Sequence, residues 1–434
     1  MNTPIVDFVK NYIEKDTSRF HMPGHKGAEA LGCEKYDITE INGADVLSQA
    51  EGIIRKSEDN ASALFGTAHS FYITQGSSTG ILAMLALINK GTVLAARNVH
   101  KAFIHACALL DLDVEWLMPE SFSSVLKCEI TASTVEKKIK ESSKKPSAVY
   151  LTSPDYLGNT QNIGGIALVC KKYDIPLLVD NAHGAYLKFL EESLHPVDLG
   201  ATICCDSAHK TLPVLTGGAY LHIAKDVPEE YLENAREKIA LFSSTSPSYL
   251  VMQSLDMCNL YLSGEYKKDL AECVEKTEEI KEYIKEKGFN VLDSEPLKIV
   301  IETDGKRLCK ALREHNIEPE FYDRDYLVLM VTPQNRDKDF ERLRNAFSKI
   351  LPPAKTLEEK EIRIPSPIRK MSIRDAVFAP SETVDIALAE GRICAAPTVS
   401  CPPAVPIAVS GEEITKGVIS LFKYYGTEKI KVVK

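Results

Sequence analysis

The stretch ATICCDSAHKTLPVLTGGAYLH, residues 201–222, decides how the fold of this chain is interpreted. It begins as a short apolar strand, ATICCD, and places Lys210 just beyond the end of that strand. Apolar residues and small turn formers surround this lysine, so solubility does not explain it. Desolvation lowers the pKa of a lysine, and such a lysine is a nucleophile that can form a Schiff base.

Short strands alternate with helical patterns on the N-terminal side of this stretch. The predicted strands are FYIT, TVLAARN, SAVYLTSP and PLLVD, and helices are predicted over residues 3–16 and from Ser57. This alternation is typical of an α/β fold with a parallel sheet covered on both faces. Ligands of such sheets bind beyond the carboxyl ends of the strands, which is where Lys210 is predicted to lie.

The pattern changes after about residue 245, where a long charged helical region precedes LKIVIET, KRLCKALREHN, YLVLMVT and DFERLRNAFSKI. These segments predict a smaller α+β domain. We therefore predict an N-terminal arm and large domain over residues 1–265 and a smaller C-terminal domain over 266–434, with ILPPAK (350–355) as a linker. A length of 434 residues is too great for one hydrophobic core, which agrees with this division.

Composition excludes several classes of protein. The net charge of −9 and the absence of a dense basic block argue against a nucleic-acid partner. No apolar run reaches the ~18 residues that a membrane span needs. Eleven cysteines at irregular spacings, with no CxxC pair and no signal sequence, are typical of reduced thiols. The sequence therefore predicts a cytoplasmic protein with a small-molecule ligand.

Small residues follow the predicted strand FYIT. Gly76, Ser77 and Ser78 begin the GSSTG turn before a helix, where backbone N–H groups and hydroxyls can bind an anion. An ordinary helix cap is the alternative. No lysine follows the glycine as in a nucleoside-triphosphate loop, so the turn fits one phosphate better than three.

Asp180 ends the strand PLLVD, and Lys210 follows the next predicted strand. Asp180 could simply cap the following segment. A carboxylate that pairs with a protonated heteroaromatic nitrogen, together with a Schiff-base lysine on a nearby strand, is what pyridoxal phosphate requires. The combination is more specific than either residue alone.

Three histidines also follow predicted strands. We predict that His100 stacks on a flat cofactor, that His183 lies close to its ring, and that His209 donates to phosphate or relays a proton. The alternative for each is a buried histidine whose hydrogen bonds are satisfied within the core.

These motifs resemble the Orn/Lys/Arg decarboxylase family. The matching segments occur in the family's order over about residues 20–260, with a weaker similarity at 391–413: FHMPGHKG, DITE, GSSTG, NVHK, SPDYLG, DNAHGA and SAHKTLPVLTGGAYL. The chain is most similar to the short members of that family. The resemblance implies the aspartate-aminotransferase fold and pyridoxal 5′-phosphate as the cofactor.

Residue roles follow from the resemblance. It implies that Lys210 binds the cofactor covalently, that Asp180 pairs with its pyridine nitrogen and that His100 stacks on its ring. The predicted phosphate ligands are Gly76, Ser77, Ser78, Ser207 and His209, and Ser246 in the segment 244–248 is expected to reach the phosphate of a neighbouring subunit. A homodimer with shared active sites follows from this expectation.

The last third departs from the family pattern. The usual aromatic and glycine residues of the Pro-rich segment are replaced in Cys401-Pro402-Pro403-Ala404-Val405-Pro406, which ends in Ser410-Gly411-Glu412. Glu412 occupies the position of a family glutamate at the substrate entrance and is predicted to bind the substrate's charged end. A helix cap at the start of the following helix is the alternative.

The leading prediction is decarboxylation of lysine, ornithine or arginine to CO2 and the corresponding amine, with Lys210 or a histidine such as His209 returning a proton to Cα. The alternatives are another reaction on the same cofactor, such as transamination or a lyase reaction, and a catalytically inactive homologue that binds or regulates. An aminotransferase needs an arginine for the substrate carboxylate, for which the sequence offers Arg363, Arg369, Arg374 and Arg392.

Overall fold

The computed structural model describes residues 1–119, 124–353, 365–397 and 404–434. Within them the helices are α1 (Pro4–Glu14), α2 (Ile53–Phe65), α3 (Ser77–Ala86), α4 (Lys101–Leu110), α5 (Ala132–Glu141), α6 (Ile163–Lys172), α7 (Ala208–Thr211), α8 (Glu229–Ala240), α9 (Tyr249–Leu262), α10 (Tyr266–Glu286), α11 (Gly305–Glu314), α12 (Asp337–Phe347), α13 (Ile373–Phe378) and α14 (Lys416–Tyr424). The strands are β1 (His69–Ile73), β2 (Thr92–Ala96), β3 (Asp113–Leu117), β4 (Ala148–Thr152), β5 (Leu177–Asp180), β6 (Ile203–Asp206), β7 (Ala219–Ile223), β8 (Asn290–Leu292), β9 (Lys298–Glu302), β10 (Phe321–Tyr322), β11 (Tyr326–Met330), β12 (Ser381–Asp385) and β13 (Lys429–Val433).

The chain divides into two compact units, and each is built from two stretches of sequence. The first unit comprises Met1–Asn89 and Cys170–Asp269, and the second comprises Lys90–Val169 and Leu270–Lys434. The predicted division at residues 265/266 stays a prediction. The predicted linker at 350–355 lies partly outside the described residues.

Seven strands make up the large sheet. The first unit contributes β1, β7, β6 and β5 in that order, and the second contributes β4, β2 and β3 in that order. Parallel pairing joins β5 to β6 and β2 to both β3 and β4, whereas β7 is antiparallel to β6 and β1. The sheet is mostly parallel, and helices alternate with its strands along the sequence. The predicted α/β class is therefore confirmed.

The second unit also contains antiparallel sheets. One has the order β10-β11-β9-β8, and the other pairs β12 with β13. The predicted strands LKIVIET and YLVLMVT are β9 and β11, which pair directly. These sheets form the smaller α+β region that the sequence predicts.

The structure corrects one predicted helix boundary and shows that one predicted helical region consists of two helices. α2 begins at Ile53 after Gly52, not at Ser57, because Ser57 is buried inside the helix and hydrogen-bonds to Tyr72 and Asp256. The long charged helical region is two helices, α9 and α10, separated by residues 263–265. The N-terminal helix is confirmed as α1.

Close packing of α3 on β6 positions the N-terminus of that helix. A Cβ atom on Gly80 of α3 would lie 2.4 Å from Sγ of Cys205 and 2.9 Å from Cδ1 of Ile73. Only glycine lets the helix approach the sheet this closely. The first turn of α3 is thereby held beside the carboxyl end of β6.

Among the described residues, no helix combines the length and the apolar character that crossing a membrane would require.

Candidate active site

The candidate site of the first unit lies where β5 and β6 end. These strands are parallel, and Asp180 is in register with Cys205. α7 follows β6 at once and carries His209 and Lys210. Lys210 Nζ lies 3.0 Å from Nε2 of His183, which is in the turn after β5. The structure therefore brings Lys210 together with His183, and the predicted position of His183 close to the cofactor ring stays a prediction.

Asp180 is buried, with 2 % of its surface exposed. Its Oδ1 accepts a hydrogen bond of 3.2 Å from the backbone N–H of Ala182, a contact that the capping alternative also predicts. The thiol of Cys205 reports on the charges nearby. Burial raises the pKa of this thiol well above the usual value, and the negative charges of Asp180 and Asp206 raise it further. The positive charge of Lys210 opposes that increase. Two acids and the lysine thus act on one buried atom.

Hydroxyl groups and a helix N-terminus form the other end of the site. Gly76 is the N-cap of α3, and no side chain caps this helix. The Ser207 hydroxyl donates to Oγ of Ser77 at 2.6 Å, and Ser78 is exposed. A Cβ atom on Gly76 would meet nothing within 4 Å, so the space above this helix end is open. Such an end, with hydroxyls beside it, suits a phosphate.

The paired glycines of LTGG are explained by contacts with this helix end. Gly217 has φ of +98°, and a Cβ atom there would lie 2.8 Å from the carbonyl oxygen of Thr74. Its own carbonyl oxygen accepts the N–H of Gly76 at 2.7 Å. A larger residue at 217 would therefore displace the turn that begins α3.

His209 is oriented by the next glycine. The carbonyl oxygen of Gly218 lies 2.9 Å from Nδ1 of His209, so Nδ1–H donates and Nε2 is left to other partners. Burial lowers the pKa of His209, and the charge of Lys210 adds to the decrease, although the hydrogen bond to Gly218 opposes it. The imidazole is therefore neutral at neutral pH.

The segment 244–248 approaches the same end of the site. The backbone N–H of Ser244 donates to Oε1 of Gln75 at 3.1 Å, next to Gly76 in sequence. Ser246 is exposed, and its N–H donates to Oγ of Ser244. The predicted contact of Ser246 with a neighbouring subunit's phosphate stays a prediction.

His100 belongs to the second unit, where it is the N-cap of α4. Its Nδ1 accepts a hydrogen bond of 3.1 Å from the N–H of Ala102. This contact orients the ring, and the predicted stacking of His100 on a cofactor stays a prediction.

Glu412, also in the second unit, is 6 % exposed and already has a cationic partner. Its Oε2 lies 2.9 Å from Nη2 of Arg97 and accepts from the N–H of Val409 at 2.8 Å. The helix-cap alternative is wrong, because α14 begins only at Lys416 and Thr415 caps it. The predicted contact with the substrate stays a prediction.

The arginine candidates for a substrate carboxylate are engaged elsewhere in the second unit. Arg369 pairs with Asp113, Arg392 pairs with Glu382, and Arg374 donates to the carbonyl oxygens at residues 108 and 109. Arg363 and the altered residues 401–403 lie outside the described residues.

A buried polar cluster beneath the site was missed by sequence reasoning. Asp206 ends β6 and accepts hydrogen bonds from Asn181, at 2.7 Å, and from Nε2 of His195 and His222, at 3.0 and 3.2 Å. The available signal was an aspartate ending an apolar strand. Its histidine partners could not be identified, because they lie on other segments of the chain.

The predicted cofactor can be tested against these residues. A lysine for its aldehyde, a buried carboxylate for its ring nitrogen, and hydroxyls with an open helix end for its phosphate all occur within the first unit. The donor set therefore fits pyridoxal phosphate.

Comparisons with known proteins give the same assignment. Residues 3–304 match the family described as Orn/Lys/Arg decarboxylase, major domain. An uncharacterised Bacillus subtilis protein, YaaO, is 30 % identical, over 96 % of this chain and 92 % of its own length. An arginine decarboxylase of the same bacterium is 28 % identical, over 97 % and 93 %.

Solved structures show the fold. A lysine decarboxylase of Francisella novicida superposes with a TM-score of 0.82 at 19 % identity, over 100 % of this chain and 81 % of that one. The constitutive lysine decarboxylase of E. coli superposes with a TM-score of 0.81 at 18 % identity, over 100 % and 82 %.

Proposed function

Because the chain belongs to the Orn/Lys/Arg decarboxylase family, whose members are pyridoxal-phosphate-dependent amino-acid decarboxylases, we propose that it decarboxylates a basic amino acid to CO2 and the corresponding amine. The resemblance predicted from the sequence, the enzyme class and the cofactor are confirmed by the same matches. The observation that carries the proposal is the position of Lys210, which follows β6 and lies 3.0 Å from His183 at the strand edge that also carries Asp180.

Each residue of this edge has a proposed task. Pyridoxal phosphate, when bound, supplies an electron sink for the electrons that CO2 leaves at Cα. Lys210 would hold the cofactor covalently, and Asp180 would keep its pyridine nitrogen protonated. Ser77, Ser207 and the α3 N-terminus, with the backbone N–H of Ser78, would bind its phosphate. Gly76, whose own N–H donates to Gly217, would form the turn that presents them. Burial of Asp180 excludes water from its carboxylate and strengthens that pairing.

Proton return to Cα is proposed to use Lys210 and His183. Their Nζ and Nε2 atoms are 3.0 Å apart, a distance at which one of them can donate to the other. His209 is a weaker candidate for this step, because its Nδ1 proton is used by Gly218 and burial lowers its pKa. We therefore leave the proton at Lys210. The predicted phosphate contact of His209 needs a proton on Nε2, which the neutral Nδ1–H form lacks, and it stays a prediction.

A basic substrate is supported by the relatives, which are named as arginine and lysine decarboxylases. Identities of 23–30 % do not select one amino acid among arginine, lysine and ornithine. Net charge is consistent with this class, since −9 favours the approach of cations.

The test is incubation of the purified protein with arginine, lysine, ornithine and the neutral isostere norleucine, with CO2 and amine both quantified. We expect equal amounts of CO2 and amine from at least one basic amino acid, little from norleucine, and none with the Lys210→Ala variant. Conversion to a keto acid without CO2 would indicate transamination. Cofactor binding without any turnover would favour the inactive-homologue alternative.

We also propose that the enzyme is a cytoplasmic homodimer whose subunits complete each other's sites through the exposed segment at Ser246. Mixing Lys210→Ala with Ser246→Arg protein should restore activity, because one hybrid site carries neither change. Continued inactivity after subunit exchange has been verified would contradict a shared site.

A further inference from the structure

The Asp206 cluster, defined as Asp206, Asn181, His195 and His222, lies wholly within the first unit and has no surface exposed. Its residues come from separate segments. Asp206 ends β6, Asn181 follows β5, His222 is on β7, and His195 is in the loop before β6. None of the tasks proposed above uses these residues.

The hydrogen bonds fix the protonation of the cluster. Nδ1 of His195 accepts the N–H of Val197 at 3.4 Å, so its proton is on Nε2 and is donated to Asp206. Nδ1 of His222 lies 2.8 Å from the Ser70 hydroxyl, and burial lowers the pKa of this histidine. Both imidazoles therefore present an Nε2–H to Asp206, and the carboxylate keeps a buried negative charge.

A metal site is the competing interpretation, since the ligand atoms of His195, Asp206 and His222 lie within 4.8 Å of one another. The hydrogen bonds argue against it. A metal needs bare Nε2 atoms, whereas each Nε2 here lies at donor distance from one shared oxygen, Oδ2. The second oxygen, Oδ1, already accepts from Asn181 and from the thiol of Cys204.

Two covalent neighbours connect the cluster to the candidate site. Asp206 directly precedes Ser207, and Asn181 directly follows Asp180. The Asn181 side chain donates to Oδ1 of Asp206 at 2.7 Å, and its backbone N–H donates to the carbonyl oxygen of Cys205 at 2.9 Å. Two hydrogen bonds of Asn181 therefore join the end of β5 to the end of β6, next to Asp180 and Ser207.

We propose that Asp206 is a positioning residue that holds Asp180 in register with Ser207 and Lys210, and whose buried charge favours the protonated form of the cofactor bound at Lys210. This inference rests on the proposed function. Asp206 acts through Asn181 and through the backbone and does not contact the cofactor. His195 and His222 keep its carboxylate ionised and oriented.

Titratable groups that interact with the cluster include Asp180, Cys204, Cys205, Tyr220, Lys188 and Asp198. Burial raises the pKa of Cys204 and Cys205 well above the usual range, so both thiols stay neutral. Tyr220 also stays neutral, because burial raises its pKa. Asp206 therefore carries a buried negative charge beside two neutral thiols and a neutral phenol.

The decisive variant is Asp206→Asn. An amide cannot accept from Asn181, Cys204 and both histidines, because one of its two terminal atoms is a donor. We expect cofactor affinity, measured by absorbance titration of the apoprotein, to fall about tenfold. The pKa read from the ~420 nm band of the bound cofactor should fall by about 0.5–1 unit, because a nearby negative charge is lost.

The matched control is Glu58→Gln in the same unit. Glu58 is equally buried and pairs with His69 and Arg236, but it lies in α2 and not at the ends of β5 and β6. We expect this variant to lower the melting temperature while leaving the affinity for the cofactor and the spectroscopic pKa at their wild-type values. Equal effects of both variants would overturn the proposal, since they would reflect stability alone.

Paired variants at His195 keep the test decisive if Asp206→Asn does not fold. His195→Gln retains a side-chain N–H donor and should titrate like the wild type, whereas His195→Leu should shift the spectroscopic pKa in the direction of Asp206→Asn. If Asp206→Asn and His195→Leu both show the wild-type spectroscopic pKa, this inference is overturned while the proposed function is unaffected. Stoichiometric metal in the wild type that is lost in His222→Leu would also overturn it, by making the cluster a metal site. A wild-type protein that binds no pyridoxal phosphate would overturn the proposed function together with this inference.

Discussion

Asp155 in the second unit and Asp206 in the first are both buried aspartates that follow or end a strand of the large sheet, with 1 % and 0 % of their surfaces exposed. Asp155 accepts hydrogen bonds from the N–H groups of Leu157 and Asn159 and from the Asn159 amide. Burial raises its pKa to about 6. Burial alone would also raise the pKa of Asp206, but His195 and His222 overcome that effect and hold it well below the usual range.

The difference teaches that the partners of a buried acid, and not its burial, decide its charge. Backbone and amide donors leave Asp155 with an ionisation near neutral pH, although Lys298 is close enough to lower its pKa. Two imidazole donors hold the pKa of Asp206 well below the usual range, so its carboxylate is ionised at neutral pH. Of these two acids, Asp206 has the lowered pKa that is typical of an acid supporting a charged site.

The largest expected effect is at Asp180, the acid of the first unit for which we propose a direct role. Asp180→Asn should retain cofactor binding through Lys210 and the phosphate contacts but lose about 10³-fold in turnover, on the scale of removing a central electrostatic group. Steady-state kinetics with an absorbance measurement of bound cofactor provides the test. Near-normal turnover would mean that Asp180 only accepts the hydrogen bond from the N–H of Ala182 and has no role in catalysis. The buried acids of both units would then be structural.

The next effect concerns Glu412 of the second unit, whose partner is a true cation. Glu412→Gln should destabilise the protein by about 3 kcal/mol, because Arg97 would be left buried without its counter-ion. The double variant Arg97→Met/Glu412→Leu should recover most of that loss in chemical denaturation. A raised KM for the basic substrate with an unchanged melting temperature would instead assign Glu412 to the substrate.

The smallest effect is the pH dependence of stability at Asp155. Its folded-state pKa of about 6 exceeds the unfolded value of 3.8, so the folded state binds the proton more tightly between these values. The stability that this group contributes is present below pH 3.8 and is lost as pH rises through 6. Relative to Asp155→Asn, the wild type should therefore gain up to about 1.4 kcal/mol per pH unit as the pH falls from 6 to 5.

Denaturant unfolding at pH 5, 6, 7 and 8 measures this trend. Asp206→Asn is its control, since the difference between that variant and the wild type should not vary over the same range. Its folded-state pKa is depressed, so its stabilisation is lost only in stronger acid. A slope of opposite sign at Asp155, or a similar slope at Asp206, would remove the distinction between the two acids.

The sequence predicted those parts of the molecule that depend on neighbouring residues. The strands of the large sheet are apolar runs with turn formers beside them. Lys210 and His183 come within hydrogen-bond distance because the parallel strands β5 and β6 end at one edge. Ser57 misled the prediction, since SEDN has the composition of a helix start although tertiary contacts bury it within α2.

Residues that depend on distant pairing could not be predicted. His222 reaches Asp206 only because β7 pairs antiparallel with β6, and an apolar run does not specify that register. Arg97 and Glu412 are 315 residues apart in sequence, so no local pattern connects them. The same reasoning explains why Glu412 was expected to face a substrate or a helix end and not an arginine.

The central claim is that Lys210, at the end of β6, is the lysine that binds the cofactor, and borohydride reduction of the cofactor-loaded protein tests it most directly. Reduction makes the lysine–cofactor bond permanent, and peptide mapping by mass spectrometry then identifies the modified residue. We predict one modified peptide, carrying the pyridoxyl group on Lys210, and no modification in Lys210→Ala. Modification of another lysine in place of Lys210, such as Lys26 or Lys101, would contradict the account.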